Sequence, residues 1–206
     1  AMEVGINLFD HADIYGGNGA AEETFGHVLA EVPHMRNAML IATKCGIIPG
    51  VPYDSSPSHI VRAAEGSLRR LRIDVIDLYQ IHRPDWLAHP QEVAAALTQL
   101  RAEGKIREVG VSNFTVAQFD ALQRFLPFPI ATHQPELSCW WLEPLRNGLL
   151  DQCMRARVTP LAWSPLAGGH LGLSPEAARG KTAGERLAAL IECLDRLAAR
   201  ASVSRS

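Results

Sequence analysis

Residues 7–17 read NLFDHADIYGG, an apolar run that ends in an acid, a histidine, a second acid and a tyrosine before two glycines. A strand with so many ionisable groups at its tip is either closed by a polar loop or carries a reactive site to its C-terminal end. The pattern recurs, and the recurrence separates the two readings. Apolar runs of strand length at 4–10 (VGINLFD), 38–44 (AMLIATK), 75–82 (VIDLYQIH), 106–113 (IREVGVSN), 129–134 (PIATHQ) and 158–165 (VTPLAWSP) alternate with segments of helical periodicity. Such alternation predicts a parallel sheet with helical crossovers, as a doubly wound sheet or a (β/α)8 barrel. Asp10, Lys44, His82, Ser112 with Asn113, Gln134, and Trp163 with Ser164 each close one of these runs. In a barrel all C-terminal strand ends surround one mouth, so a ring of polar tips is natural there and awkward in an open sheet. The glycine-rich YGGNGA at 15–20 is not the GxGxxG turn of a doubly wound nucleotide binder.

The intervening segments read as helices. Residues 20–31 place Phe25, Val28 and Leu29 on one face. Ser56 is a predicted N-cap with Pro57 at the first helical position, followed by Ile60, Ala64, Leu68 and Leu71 at helical spacing. A helix opens at Pro90, with Val93, Leu97 and Leu100 on its stripe and Gly104 suited to its end. Further helices are predicted at 115–126, at 144–157 (weakened by Gly148) and at 183–201, the last with Leu187, Leu190, Ile191 and Leu194 on its apolar face.

Composition narrows the function classes. The 206 residues are 47% hydrophobic and 20% charged, the profile of one globular domain spanning 1–206. A formal net charge of −2 with no basic block gives no footprint for nucleic acid or an anionic membrane. No apolar run has the length of a membrane span, and AMEVGINLFD has no basic segment ahead of its apolar stretch, so a cytoplasmic location is expected. Cys45, Cys139, Cys153 and Cys193 lie far apart without CxxC spacing, as reduced thiols do. The eight histidines show neither HxxxH nor HExxH, and no metal site is expected.

GINLFDHADIYGG, IATKCG, LYQIHRPD, GKIREVGVSNF, THQPELS and LAWSPLAGG, in this order, resemble successive signatures of the aldo-keto reductase superfamily, closest to its bacterial oxidoreductases with an IHRPD strand end. The resemblance implies a (β/α)8 TIM barrel that binds NADP(H) without a Rossmann motif, NAD(H) being left open, and that reduces an aldehyde or ketone to an alcohol. The family tetrad of Asp, Tyr, Lys and His maps onto Asp10, Tyr15, Lys44 and His82. By the same resemblance Ser112, Asn113 and Gln134 bind the nicotinamide carboxamide and Trp163 stacks on its ring. Ser164, Leu166 and Gly168 then follow the pyrophosphate, and Trp140 and Trp141 line the substrate mouth. Against the family pattern the barrel is incomplete: strands two to seven are present and the first and eighth are missing, along with the segment that holds the adenosine 2′-phosphate. A fragment of a longer reductase is the expectation, with weak cofactor binding by the chain alone. A non-enzymatic nucleotide-binding regulatory subunit and an inactive remnant are the alternatives.

The residues make chemical sense in these roles. A carbonyl receiving hydride develops negative charge on oxygen and needs a proton donor and positive potential there. Tyrosine ionises near pH 10, and an adjacent Lys44 ammonium is expected to lower that value. Asp10 would make the buried lysine tolerable, His82 would donate to the same oxygen, and Tyr15 would be the general acid. Each residue also has a plainer reading. Asp10 suits a loop cap, His82 and Trp163 suit core positions, and Ser112–Asn113 suit the N-cap of helix 115–126. The flanks IAT and CG bury Lys44 at least in part. His11 and Asp13 are assigned no chemistry.

Overall fold

The computed structural model describes residues 1–205. In chain order the strands are β1 (Leu8–Asp10), β2 (Leu40–Cys45), a hairpin of β3 (Ile47–Ile48) and β4 (Val51–Tyr53), β5 (Ile76–Ile81), β6 (Ile106–Ser112), β7 (Thr132–Gln134) and β8 (Thr159–Pro160). The helices are α1 (Ala20–Glu31), α2 (Pro57–Leu71), α3 (Pro90–Ala102), α4 (Val116–Gln123), α5 (Leu149–Ala156), α6 (Pro175–Arg179) and α7 (Gly184–Ala201). Six strands form one sheet in the order β1-β2-β5-β6-β7-β8. The sheet is a curled parallel half-barrel, consistent with an incomplete (β/α)8 barrel.

Register decides which tips meet. Asp10 pairs with Ala42, Lys44 with Gln80, Gln80 with Gly110, and Ser112 with Gln134. Side chains alternate across the sheet, so neighbours in register project to the same face. On β5, Gln80 reaches Asp10 on one face, while the Tyr79 hydroxyl donates to the Ile60 carbonyl of α2 on the other. Ile41, Ile60, Leu71, Tyr79, Leu97 and Phe119 are almost wholly excluded from water and form the helix-side core.

Caps set the helix starts. Ser56 accepts the His59 amide and Pro57 opens α2, as expected from the sequence. Gly104 (φ 72°) follows α3 in the left-handed region that ends it. The N-cap of α4 is Thr115 rather than Ser112 or Asn113: its hydroxyl accepts the Gln118 amide while the Gln118 side chain accepts the Thr115 amide.

Several elements are shorter than their apolar runs. Met2–Val4 form a single tight helical turn and Gly5 is left-handed, so β1 begins only at Leu8. The run at 129–134 pairs only from Thr132, and that at 158–165 yields the two residues of β8 and one bridge between Glu136 and Trp163. Gly148 (φ 83°) lies just before α5, and residues 143–145 form a separate turn, so the helix expected from 144 begins at Leu149. On α1 the inward face is Glu22, Gly26 and Leu29, while Val28 is 46% exposed. Apolar periodicity missed this face because two of its three residues are a charge and a glycine.

The chain divides into two compact units. One comprises Ala1–Gln134 with Gln152–Thr159, and the other Pro135–Asp151 with the chain from Pro160 onward. The second has its own core, in which Leu171, Ala178, Leu187, Ala188 and Ile191 pack together with Trp140 against them.

Candidate active site

At the C-terminal tips of β1 and β2 a lysine is buried against an acid. The Lys44 ammonium donates to Asp10 Oδ2 at 2.7 Å and to the His11 carbonyl at 2.7 Å. Its side chain is 1% exposed and that of Asp10 is 30% exposed. Burial lowers the Lys44 pKa, and the Asp10 carboxylate opposes that shift by charge and by hydrogen bond. Asp10 has further partners: Gln134 Nε2 donates to Oδ2 at 3.0 Å, and Gln80 Nε2 stands 3.5 Å from Oδ1. Gln80 Oε1 in turn accepts the Thr132 hydroxyl at 3.2 Å. Gly110 leaves room for this network, since a β-carbon there would run into both Thr132 and Gln80.

Tyr15 lies in the loop after β1, where Gly16 and Gly17 (φ 73° and 83°) turn the backbone. Lys44 Nζ stands 5.1 Å from the centre of its ring, and the His82 ring meets it edge-on at 5.7 Å. Tyr15 is 39% exposed, and the rest of it is shielded. Partial burial, and then the Asp10 charge, raise its pKa above the ordinary value, with Arg83 opposing. This corrects the expectation of a lowered phenol: burial and the Asp10 charge set the direction of the shift, and the phenol keeps its proton near pH 7. Burial, with Lys44 and Arg83 adding to it, pushes His82 down to about 4, so its imidazole is neutral near pH 7.

Ser112, Asn113 and Gln134 meet beside this group. Ser112 Oγ donates to the Gln134 carbonyl at 2.9 Å. Asn113 Nδ2 donates to Ser112 Oγ at 2.8 Å and to the His82 carbonyl at 3.1 Å. Asn113 adopts φ 60°, a conformation asparagine tolerates better than most residues. The expected tetrad and three of the expected cofactor residues therefore share one region of the first unit, joined by hydrogen bonds and, for the Tyr15 ring, by its contacts with Lys44 and His82.

Trp163, Ser164, Leu166 and Gly168 belong to the second unit. There the Trp163 amide donates to the Pro135 carbonyl at 3.0 Å and its carbonyl accepts the Leu137 amide at 3.3 Å. Ser164, Ala167, Gly168 and Gly169 all have positive φ, so the loop is tightly coiled, and Leu166 is 41% exposed. Trp140 packs on the second unit's core with the Arg186 guanidinium over its ring, while Trp141 is 48% exposed.

Other polar groups surround the tetrad. His11 packs on Phe25 with ring centres 4.6 Å apart. The Asp13 amide donates to the Lys44 carbonyl, and burial, then the Glu22 charge, raise its carboxyl to about 7. Glu22, Thr43, Gln80 and Thr132 were not singled out in the sequence. Glu22 stands at the inward spacing 22, 26, 29 and Gln80 inside an apolar run, so a polar residue at a core position was the available signal. Among the described residues no cluster of metal-ligating side chains occurs, and all four cysteines are free.

At the rim of the parallel half-barrel a buried Lys–Asp pair, a tyrosine from the loop after β1 and a neutral histidine thus stand together. The family model for the aldo/keto reductase family matches residues 1–204, and the chain belongs to that family. It is 49% identical over 211 residues to a 6-dehydroglucose reductase of Novosphingobium aromaticivorans, covering 100% of this chain and 67% of that protein. It is 46% identical over 177 residues to the oxidoreductase YdhF of Escherichia coli, covering 82% of this chain and 59% of that protein. Among solved structures, a glycerol dehydrogenase of Gluconobacter oxydans superposes with a TM-score of 0.87 at 32% identity, over 99% of this chain and 67% of that one. An aldo/keto reductase of Klebsiella pneumoniae in complex with NADP and acetate superposes with a TM-score of 0.78 at 25% identity, over 99% of this chain and 64% of that one. The chain thus spans 59–67% of the length of these proteins.

Proposed function

We propose that the chain carries the catalytic strand ends of an NADP(H)-dependent reductase that converts a small aldehyde or ketone to the alcohol. One observation supports this above all: Lys44, buried and bonded to Asp10 at 2.7 Å, lies under the Tyr15 ring with His82 at its edge. Held beside Ser112, Asn113 and Gln134, the reduced cofactor NADPH would supply the hydride that the carbonyl carbon accepts. Tyr15 gives its proton to the carbonyl oxygen as charge develops there, which the raised phenol pKa suits, since the proton is present at neutral pH. The Lys44 cation stabilises the phenolate left behind. Neutral His82 offers an N–H donor near the Tyr15 ring and orients the carbonyl.

The residues beside the tetrad fit the cofactor's carboxamide. Ser112, Asn113 and Gln134 bring a hydroxyl and two amides together, and the Asp10 carboxylate, which only accepts, turns Gln134 so that its amide nitrogen faces inward and its oxygen is left to accept the carboxamide N–H2. The NADP complex of the Klebsiella relative supports NADP(H), and Trp163, Ser164, Leu166 and Gly168 are assigned to the nicotinamide and pyrophosphate on the family pattern. Free thiols accord with a cytoplasmic setting, and no helix among the described residues is long and apolar enough to cross a membrane.

The test is carbonyl-dependent loss of NADPH absorbance with substrates running from simple aldehydes to oxidised sugars, a range suggested by the Novosphingobium relative. Turnover is expected, and Lys44→Met is expected to lower kcat by about 10²–10³-fold. Cofactor binding without turnover on any carbonyl would point instead to a nucleotide-binding subunit and overturn the reading.

A further inference from the structure

Behind the tetrad, on the helix side of β2, lies an ion pair the proposed chemistry does not use. Glu22 of α1 has no exposure to water. One of its oxygens accepts Arg70 Nε at 2.7 Å and the other accepts the Thr43 hydroxyl. Arg70, near the end of α2, also reaches Ser67 Oγ at 3.3 Å. Three glycines lie against residue 70, two beside the arginine side chain and one against its backbone. A β-carbon on Gly19 would collide with its side chain, one on Gly26 with its carbonyl oxygen, and one on Gly66 would come within 3.0 Å of its Nη1. Glycine weakens a helix interior, and two of the three lie inside helices: Gly66 beside the arginine side chain, and Gly26 where α1 packs on the α2 backbone.

We propose that the Glu22–Arg70 pair is a positioning device that sets Tyr15 against Lys44. Thr43 immediately precedes Lys44 on β2, so its bond to Glu22 fixes that strand against α1. At its other end α1 is joined to the tyrosine loop: Gly19 is its N-cap, and the Ala21 amide donates to the Tyr15 carbonyl at 3.1 Å. A single carboxylate thus links the residue next to Lys44 to the helix turn that holds Tyr15, and Arg70 pins it from α2. Packing alone does not call for charge here, because a buried ion pair replaced by apolar side chains of similar volume is often neutral or stabilising. The Glu22 charge also supports the Lys44 cation.

This inference rests on the proposed roles of Lys44 and Tyr15, and its test has an arm that does not. Glu22→Met/Arg70→Met removes both charges together, leaving neither buried alone. Glu22→Gln keeps the shape and the bond to Thr43 if the double variant folds poorly. In both, cooperative unfolding is expected to persist and the alkaline limb of the pH profile to move to lower pH; kcat falls about tenfold or more at little-changed KM in the double variant, which loses the bond to Thr43, and much less in Glu22→Gln, which keeps it. The chain has three lysines, Lys44, Lys105 and Lys181, so Lys44 can be titrated directly by NMR with labelled lysine. Its midpoint is expected to move down in both variants, even if no carbonyl substrate is found. A loss of unfolding midpoint with kcat and the Lys44 titration unchanged would overturn the inference and make the pair a packing contact only. Failure of turnover in the natural protein would instead count against the proposed reaction.

Discussion

Lys44 holds its charge where almost no water reaches it, and two oxygens at 2.7 Å make that possible. Its depressed pKa gives the proposed reaction an alkaline limb with a definite sign: with the ammonium required in that proposal, activity should fall as pH rises, beginning below the ordinary lysine value of 10.5. His82, down at about 4, contributes no change between pH 6 and 8. The buried histidines affect stability instead. His133 is wholly buried against Phe119, neither ring nitrogen has a well-formed hydrogen bond, and burial lowers it to about 4. The unfolded chain binds the proton near 6.5 and the folded chain does so only near 4, so stability is full above 6.5 and is lost as pH falls through that window. Between pH 7 and 5 the loss from this one residue is about 2 kcal/mol. Urea unfolding of His133→Phe at both pH values should show a correspondingly shallower acid dependence. An unchanged pH slope would mean that His133 is not held neutral by the fold.

At the scale of elements, strand tips were legible because parallel strands place their C-terminal residues on one rim. The sequence therefore indicated Asp10, Lys44, His82, Ser112, Asn113 and Gln134 before any contact was known, and the structure brings these six together through hydrogen bonds and ring contacts. Strand lengths were less legible. The runs at 4–10, 129–134 and 158–165 are mainly apolar, yet pairing begins late or stops early in each, and apolar character reports burial rather than hydrogen bonding. The β3–β4 hairpin lacks the clean alternation that reveals one. The cap of α4 separates structure from function locally. Thr115 and Gln118 satisfy the helix start, leaving Asn113 to bond Ser112 and the His82 carbonyl. Thr115→Ala should cost about 1 kcal/mol in urea unfolding and leave kcat unchanged. A large loss of kcat would show that the cap and the site are one unit.

At the scale of the whole molecule, family membership rests on a match across residues 1–204, and the half-barrel on six parallel strands in consecutive order. Strand–helix periodicity and polar tips pointed to the barrel, and the resemblance of motifs such as GINLFDHADIYGG and GKIREVGVSNF pointed to the family. It could not recover the Glu22–Arg70–Thr43 contact, which joins residues far apart in sequence through glycine clearances visible only once α1 and α2 are placed. Nor did it give the direction of the Tyr15 shift, which depends on how far the ring is buried and on the nearby Asp10 charge. The central claim is that Tyr15 delivers the proton. The most direct measurement compares kcat for carbonyl reduction at saturating NADPH in the natural protein and in Tyr15→Phe, with NADPH affinity measured on both. The expected result is a fall in kcat of about 10²–10⁴-fold with cofactor affinity essentially unchanged. Turnover retained in Tyr15→Phe would contradict the account.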